Sequence, residues 1–310
     1  LILLSIFAHS KSQDLPIYKQ YMLNSFLLNP AAAGQSNCVN VNFTDRHQWL
    51  NFENAPNTQT LSVFARSSLF KTKRETYHGL GAMIFSHKNG LNSEKGFQLT
   101  YAFHSQMLMD DNSREKYYFS LGISFVGCVF SFDGSKISTL NPDPNIDNSE
   151  KNLFSPDFNA GFLIYGSHFS LGISGTHLLK QRIGSYNKEE PYFPRHYFLF
   201  SSYKFDLPDR KTAIEPSLSF KMSEINFVKA DFNLKLHLGK LFWVGISYEN
   251  ALSEQAEGGN AINFFTGFFI SESFQTALAY QYGFTRIQNY NFGSIEFLLA
   301  YKFCVKQRKY

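Results

Sequence analysis

The sequence predicts an all-β protein, a single antiparallel transmembrane β-barrel of about 14 strands with a short N-terminal periplasmic segment. Three observations carry that prediction. Period-two alternation recurs from residue 38 to residue 304 in about 14 segments, the pattern of a sheet whose two faces meet different surroundings. No stretch reads as a long amphipathic helix, and no run approaches the roughly 18 to 20 apolar residues of a membrane-spanning helix, which excludes an α-helical membrane protein. Connection lengths also sort by side. If the first strand, about 38 to 49, rises from the periplasm, the two longest connections, roughly 131–155 and 177–194, fall outside the cell. The short ones, at Gly166-Ser167, Pro208-Asp209, Gly239-Lys240 and Ser271-Glu272, then fall on the periplasmic side.

Residues 1–12 are read as the remnant of a secretory signal peptide: apolar from Leu1 to Ala8, then polar, with the small Ser10 and Ser12 before a mature end near Gln13. A frayed apolar strand of a cytosolic protein is the alternative. Residues 13–36, polar at the ends and marked by Pro30 and Gly34, form the periplasmic N-terminal segment, which either tucks into the barrel mouth or binds a periplasmic neighbour. The barrel follows over 37–304, and 305–310 form a basic periplasmic tail with Lys306, Arg308 and Lys309.

The alternation is clearest in VKADFNLKLHL. Val228, Ala230, Phe232, Leu234, Leu236 and Leu238 share one face, opposite Lys229, Asp231, Asn233, Lys235 and His237. In TAIEPSLSFKM, Ile214, Leu218, Phe220 and Met222 oppose Glu215, Ser217, Ser219 and Lys221. In SIEFLLAYKF, Ile295, Phe297, Leu299, Tyr301 and Phe303 fall together. Alternation alone also suits a sheet covering a soluble core. Aromatics near strand ends, such as Phe274 and Tyr282, favour membrane girdles instead, and no helix is available to cover so large a sheet. Glu215, Lys221, Lys229, Asp231 and Lys235 are the lumen-facing candidates. They either line a channel or pair across strands and fill the interior. Pro216 removes a ladder donor and is read as a bulge or local strain.

Little in the chain carries chemistry. The 29 basic and 25 acidic residues give a net charge of +4 without a basic block, which points away from nucleic acid. Nine His show no H-E-x-x-H or close pairing, and there is no G-x-S-x-G elbow or P-loop, so no metal, cofactor or catalytic residue is expected. Asn141 to Asn145, with Asp147 following, read as a stiff extracellular turn before a calcium site. Cys38, Cys128 and Cys304 are read as buried inert thiols, with one disulfide as the alternative in an oxidising periplasm. The crowded HQWLNFENAPNTQTLS is read as a hairpin. Gln48 and Trp49 close the first strand, Asn51 to Pro56 turn, and Thr58, Thr60 and Ser62 share the face opposite Leu61 and Val63. Gln48 with Gln59 pins the hairpin, or else they touch a partner together with Glu53.

Several motifs in order resemble the PorP/SprF family of outer-membrane proteins of the type IX secretion and gliding machinery of Bacteroidetes. They are Gln20-Tyr21-Met22, then Asn29, Pro30, Ala31, Ala33 and Gly34, then Gln48, Trp49, Phe52, Ala55, Pro56, Thr58, Gln59, Thr60, Leu61 and Ser62. The stretches GLGAMIFSHKNG, RHYFLFSSYKFDL, FWVGISY and YNFGSIEFLLAYKF continue the likeness over nearly the whole mature chain. Ala32 stands where the family often has an aromatic, and the chain continues past Phe303. The resemblance implies an outer-membrane barrel without enzymatic activity or cofactor. It would assist export or surface attachment of a cognate secreted adhesin with a type IX C-terminal sorting domain. Its other neighbours would be outer-membrane lipid and the periplasmic secretion ring or peptidoglycan-linked lipoproteins. The family-motif residues would be structural or partner-binding. A porin or substrate-specific channel is the rival class, separated by conductance. A barrel hydrolase would show turnover.

Overall fold

A computed structural model describes residues 21–67, 75–107, 115–133, 150–179, 194–209, 211–224, 228–239, 241–253 and 259–304. The signal-peptide remnant, the Asn141–Asn145 turn with Asp147, and the basic tail lie outside these residues.

Alternation becomes a closed barrel of 14 antiparallel strands. They are β1 (Val39–His47), β2 (Asn57–Ser67), β3 (Thr76–Asn89), β4 (Asn92–Gln106), β5 (Tyr118–Asp133), β6 (Glu150–Tyr165) and β7 (Phe169–Thr176). Next come β8 (His196–Tyr203, resumed as Phe205–Asp206), β9 (Thr212–Ser223), β10 (Val228–Leu238), β11 (Phe242–Ala251), β12 (Ala261–Phe269), β13 (Phe274–Gly283) and β14 (Ser294–Phe303). Each strand pairs with its sequence neighbour, and β1 closes on β14 from Val39↔Phe303 to His47↔Ile295. Closure follows from the surroundings: in hydrocarbon an unpaired edge leaves N–H and C=O groups without partners.

The outer face carries Leu61, Ile84, Leu99, Ile123, Phe154, Phe232, Leu234 and Phe264, all exposed on the isolated chain. Their neighbours in sequence, among them Ser62, Thr100, Ser124, Asp231, Asn233 and Asn263, are buried inside. Strands β3 to β6 run 14, 15, 16 and 16 residues, beyond the roughly 9–11 that cross a tilted bilayer. Consequently β5 reaches Asp133 and β6 starts at Glu150, so strand occupies both ends of the expected 131–155 loop. The facing ends of β5 and β6, at Asp133 and Glu150, and of β7 and β8, at Thr176 and His196, lie at the end of the barrel opposite Val39 and Phe303.

The cysteine expectation is corrected. Cys38 and Cys304 form a disulfide at the chain ends of β1 and β14, one step beyond Val39↔Phe303, where strand pairing already brings the two residues together. Cys128 is free and buried.

The N-terminal segment is expected either to tuck into the barrel mouth or to bind a neighbour. Residues 21–36 lie inside the barrel, of the two alternatives the one nearer the mouth. The reason is hydrophobic burial. Phe26, Leu27, Leu28 and Ala31–Ala33 join a core with the inward side chains Met83, Ala102, Leu163, Tyr165, Phe198 and Phe200.

Candidate functional site

The lumen is the feature with most chemistry, and its lower half is a plug. Two 3-10 turns, Ser25–Leu27 and Pro30–Ala32, fold the segment compactly. Asn29 caps the second by accepting from the Ala31 N–H at 2.9 Å, and Pro30 takes the first position, where no donor is missed. Gly34, at φ +83°, turns the chain toward β1 in a conformation that L side chains rarely adopt.

The wall is shaped to receive this backbone. A Cβ on Gly122 would stand 2.2 Å from Ala31 N, one on Gly161 2.0 Å from Asn29 Oδ1, and one on Gly79 1.8 Å from Ala33 O. Wall side chains then satisfy the plug's polar groups. Ser120 Oγ donates to Ala31 O at 2.8 Å and Ser174 Oγ to Leu28 O at 2.6 Å, while His104 Nε2 lies 2.7 Å from Ala33 O. Asn29 Nδ2 reaches the Phe162 and Ile173 carbonyls at 2.9 and 3.3 Å. At the segment's start, Asn233 Nδ2 donates to the Tyr21 hydroxyl at 2.7 Å and Ser217 Oγ to Met22 Sδ at 3.4 Å. Buried backbone groups need such partners, so the serines, His104 and Asn233 are positioning residues for the plug.

Among the family-motif residues, Asn29, Pro30, Ala31 and Gly34 are plug. Thr58 and Thr60 face the lumen, and Thr58 Oγ1 meets His87 Nδ1 at 2.7 Å, whereas Gln59 is exposed on the outer face. Gln48 accepts from Arg46 Nε at 3.3 Å, so Gln48 and Gln59 point to opposite sides of the wall. The hairpin is held by Gln48 N–H to Pro56 O and by Asn57 Nδ2 beside His47 Nδ1. Its loop is pinned to the β13–β14 connection by Leu50 N–H to Gly293 O and Phe292 N–H to Leu50 O. Trp49, Asn51 and Asn54 all have positive φ, of 48°, 67° and 55°.

The ionic candidates lie on the inner face of β9 and β10. Lys221 and Asp231 pair at 2.6 Å, and Glu215 binds Lys235 at 3.1 Å and His237 at 2.7 Å. Lys229 lines a cavity of about 140 Å³, near the end of the barrel opposite Val39 and Phe303, together with Arg46, Gln281 and Trp49. Sequence reading missed Arg46, Glu249 and Glu296. Arg46 binds Glu296 at 3.3 Å and Gln281 at 2.9 Å, and Glu249 accepts from Asn263 and Gln281. All three charged residues alternate inward on β1, β11 and β14, the same signal that marked β9 and β10.

Two His clusters sit at the rims. At the end of the barrel that carries Val39 and Phe303, His168, in the β6–β7 turn, lies between Asp206 (3.0 Å) and Glu115, and Tyr117 donates to Glu115 at 2.8 Å. The hydrogen bonds to Asp206 and then Glu115 hold His168 above the usual imidazole range. Those from Tyr117 and then His168 hold the Glu115 carboxyl low. At the opposite end His177 meets Asp157 at 2.8 Å. Burial opposes its charge, but the Asp157 bond with the Glu94 and Asp157 charges outweighs burial and raises its pKa. Among the described residues no group of three His, Cys, Asp or Glu is arranged to hold a metal ion.

Comparison with known proteins places this geometry. The model of the family described as type IX secretion system membrane protein PorP/SprF matches residues 10–301. No curated protein matches. Among solved structures, the CymD monoaromatic hydrocarbon channel superposes with a TM-score of 0.51 at 10% identity over 95% of each chain, a likeness of fold alone. A TodX channel mutant gives 0.49 at 9% identity, covering 91% of this chain and 94% of its own. Omp33 of Acinetobacter baumannii gives 0.46 at 10%, covering 88% and 100%.

Proposed function

The chain belongs to the PorP/SprF family of type IX secretion system membrane proteins, and from that membership we propose that this outer-membrane barrel is a non-catalytic scaffold. It assists export or surface attachment of a cognate secreted adhesin-type protein. The observation that carries the reading is the plug. A lumen blocked across its lower half by its own N-terminal segment, hydrogen-bonded to the wall at Ser120, Phe162, Ser174 and His104, suits a platform better than an open pore. The rigid outer hairpin around Trp49, pinned to the β13–β14 connection, is the contact proposed for the cargo. The family-motif residues then divide by role: Asn29, Pro30, Ala31 and Gly34 structural, Gln48 and Trp49 partner-facing. The rim around His168 faces the periplasmic secretion ring or peptidoglycan-linked lipoproteins. Residues 1–12 serve as a secretory signal removed on export.

Two measurements test this. Extraction in mild detergent is expected to bring down a secreted adhesin or a secretion component with the barrel, and recovery of the barrel alone under every condition would sink the reading. Planar bilayers are expected to show no steady conductance from the intact protein. Stable open channels would instead support a porin or substrate-specific channel.

A further inference from the structure

Strand β6 outgrows its neighbour. It runs Glu150–Tyr165 whereas β7 runs only Phe169–Thr176, and the two are joined by a tight turn at Tyr165↔Ser170. All of the surplus therefore stands at the end of the barrel opposite Val39 and Phe303. On one side β6 is paired to β5 throughout, from Tyr118↔Tyr165 to Asp133↔Glu150. On the other it is paired to β7 only from Tyr165↔Ser170 to Ala160↔Gly175. Residues 150–159 thus form a strand edge that rises roughly 20 Å above the end of β7, at about 3.3 Å per residue and a strand tilt of about 40°. The roughly 11 residues that cross a tilted bilayer, counted from Tyr165, end at Ser155. Phe154 and Asn152 stand beyond the hydrocarbon.

Two hydrogen bonds fix which way the main-chain groups of this edge point. Leu178 N–H donates to Phe158 O at 3.1 Å, so Phe158 turns its groups toward the β7 side. Cys128 Sγ donates to Ser155 O at 3.4 Å, so Ser155 turns toward β5. The β5–β6 register is unbroken, and the groups of Asn152, Phe154 and Pro156 consequently alternate with Ser155 and face the β7 side. Pro156 is accommodated within the strand for the same reason, because its missing N–H belongs to the unpaired side. Among the described residues the main-chain N–H and C=O of Asn152 and Phe154 have no partner there. Phe154 is 56% exposed, and Leu179, at the foot of the edge, 39%. An edge of this kind is a template for another strand, and only Pro156, by removing one donor, blunts it.

We propose that the β6 edge from Asn152 to Pro156 is a docking site for an extended segment of a secreted polypeptide, which adds one strand to the wall above Leu179. That the partner is secreted rests on the platform reading; the edge does not. Donors and acceptors that repeat every second residue along a strand are matched by another extended backbone. The added strand bonds Asn152 and Phe154 through both main-chain groups and Pro156 through its carbonyl, and sets an apolar or β-branched side chain beside Phe154 on the outer face. A second copy of this chain does not fit. Two barrels in one membrane stand the same way up, so a twofold axis along the membrane normal runs their β6 edges in the same direction and crosses them at about twice the strand tilt. Paired strands differ by only about 20–25°. Bilayer lipid does not fit either, since its hydrocarbon ends below Phe154.

The test puts the photocrosslinker p-benzoylphenylalanine in place of Asn152 in the full chain, in intact cells, and maps the light-induced adducts by mass spectrometry. Adducts on one stretch of a secreted protein are expected. Their yield should fall about tenfold with Phe154→Pro and hold with Phe154→Val, since only the first removes a main-chain donor. Both variants are expected to keep the heat-resistant gel mobility of the folded barrel. Loss of that mobility in Phe154→Pro alone would place the Phe154 N–H in the β5 ladder and overturn the proposal. A yield insensitive to Phe154→Pro means contact through side chains only and overturns it too, as do adducts within residues 180–193 of the same chain, adducts on a second copy, or no protein adduct at all. The platform reading is tested apart from this. Partner recovery in mild detergent that is unchanged by Phe154→Pro, with no adduct at Asn152, leaves the platform standing and removes the edge site. An adduct with the expected backbone dependence on a polypeptide that is not secreted does the reverse.

Discussion

At the scale of single residues, the inner face is governed by the cost of burying charge. Arg46 and Glu296 are each almost wholly enclosed, at 2% and 1% exposure, and lie 3.3 Å apart with Gln281 and Gln48 completing the arginine's contacts. A pair this deep is retained because each partner makes the other tolerable, and removing one leaves an uncompensated charge. Arg46→Met is therefore expected to destabilise the barrel by about 3 kcal/mol, read from urea unfolding in detergent micelles. The double variant Arg46→Met/Glu296→Gln should recover most of that loss, because it removes both charges. A double variant as unstable as the single would mean that Arg46 acts through packing and not through its charge.

At the scale of elements, the plug and the rim turns make separate predictions. A side chain at Gly161 must occupy the place of the Asn29 amide, and one at Gly122 the place of the Ala31 backbone. Gly161→Val and Gly122→Val are expected to displace residues 21–36, seen as protease cleavage within the segment and as bilayer conductance absent from the parent. Gly245→Ala is the control, since its nearest contact would be a tolerable 3.3 Å. Failure of either plug variant to change both readouts would count against the plug as the lumen's closure. The rim around His168 is held by ionisation. His168, raised by Asp206 and then Glu115, contributes stability that is complete below its ordinary pKa of roughly 6.5 and is lost as pH rises through the higher folded value. Glu115, held low by Tyr117 and then His168, contributes above its ordinary value and loses that contribution as pH falls through the lower folded one. Tyr117 and Lys204 complete the charged and titratable groups of this cluster. The turns should be tightest between roughly pH 5 and 6.5 and looser toward pH 8, measured as amide exchange at Glu115 to Tyr117 and Gly166 to His168. His168→Gln should flatten the rise in exchange between pH 6.5 and 8.

At the scale of the whole molecule, closure is the property that unites these parts, and it was only partly legible in the sequence. Strands such as β9, β10 and β14 announce themselves, because one face meets hydrocarbon and the other polar groups, and the period is two. β8 does not. In HYFLFSSY both faces are apolar, since Phe198 and Phe200 pack on the plug while Tyr197 and Leu199 face outward, so the need for inward apolar residues was invisible until the plug was placed. The plug itself has no periodicity to betray it, and its partners, spread over β3 to β10, lie far away in sequence. The disulfide was hidden similarly: Cys38 and Cys304 are separated by 266 positions and meet only because β1 pairs with β14. That placement gives the last expectation. The bond joins the two chain ends of the closing seam, so it restricts the unfolded chain over almost the full length of the barrel while extending the β1–β14 ladder by one covalent rung. It also anchors the point where the plug enters β1. Replacing both residues, Cys38→Ser/Cys304→Ser, should cost about 2–4 kcal/mol of unfolding free energy. A barrel must open at some seam to unfold, and the loss should appear chiefly as faster unfolding if β1–β14 is that seam. The measurement is the rate at which the heat-resistant gel mobility of the folded barrel disappears, compared between parent and variant at several temperatures. Equal rates would mean that the barrel opens at another strand pair.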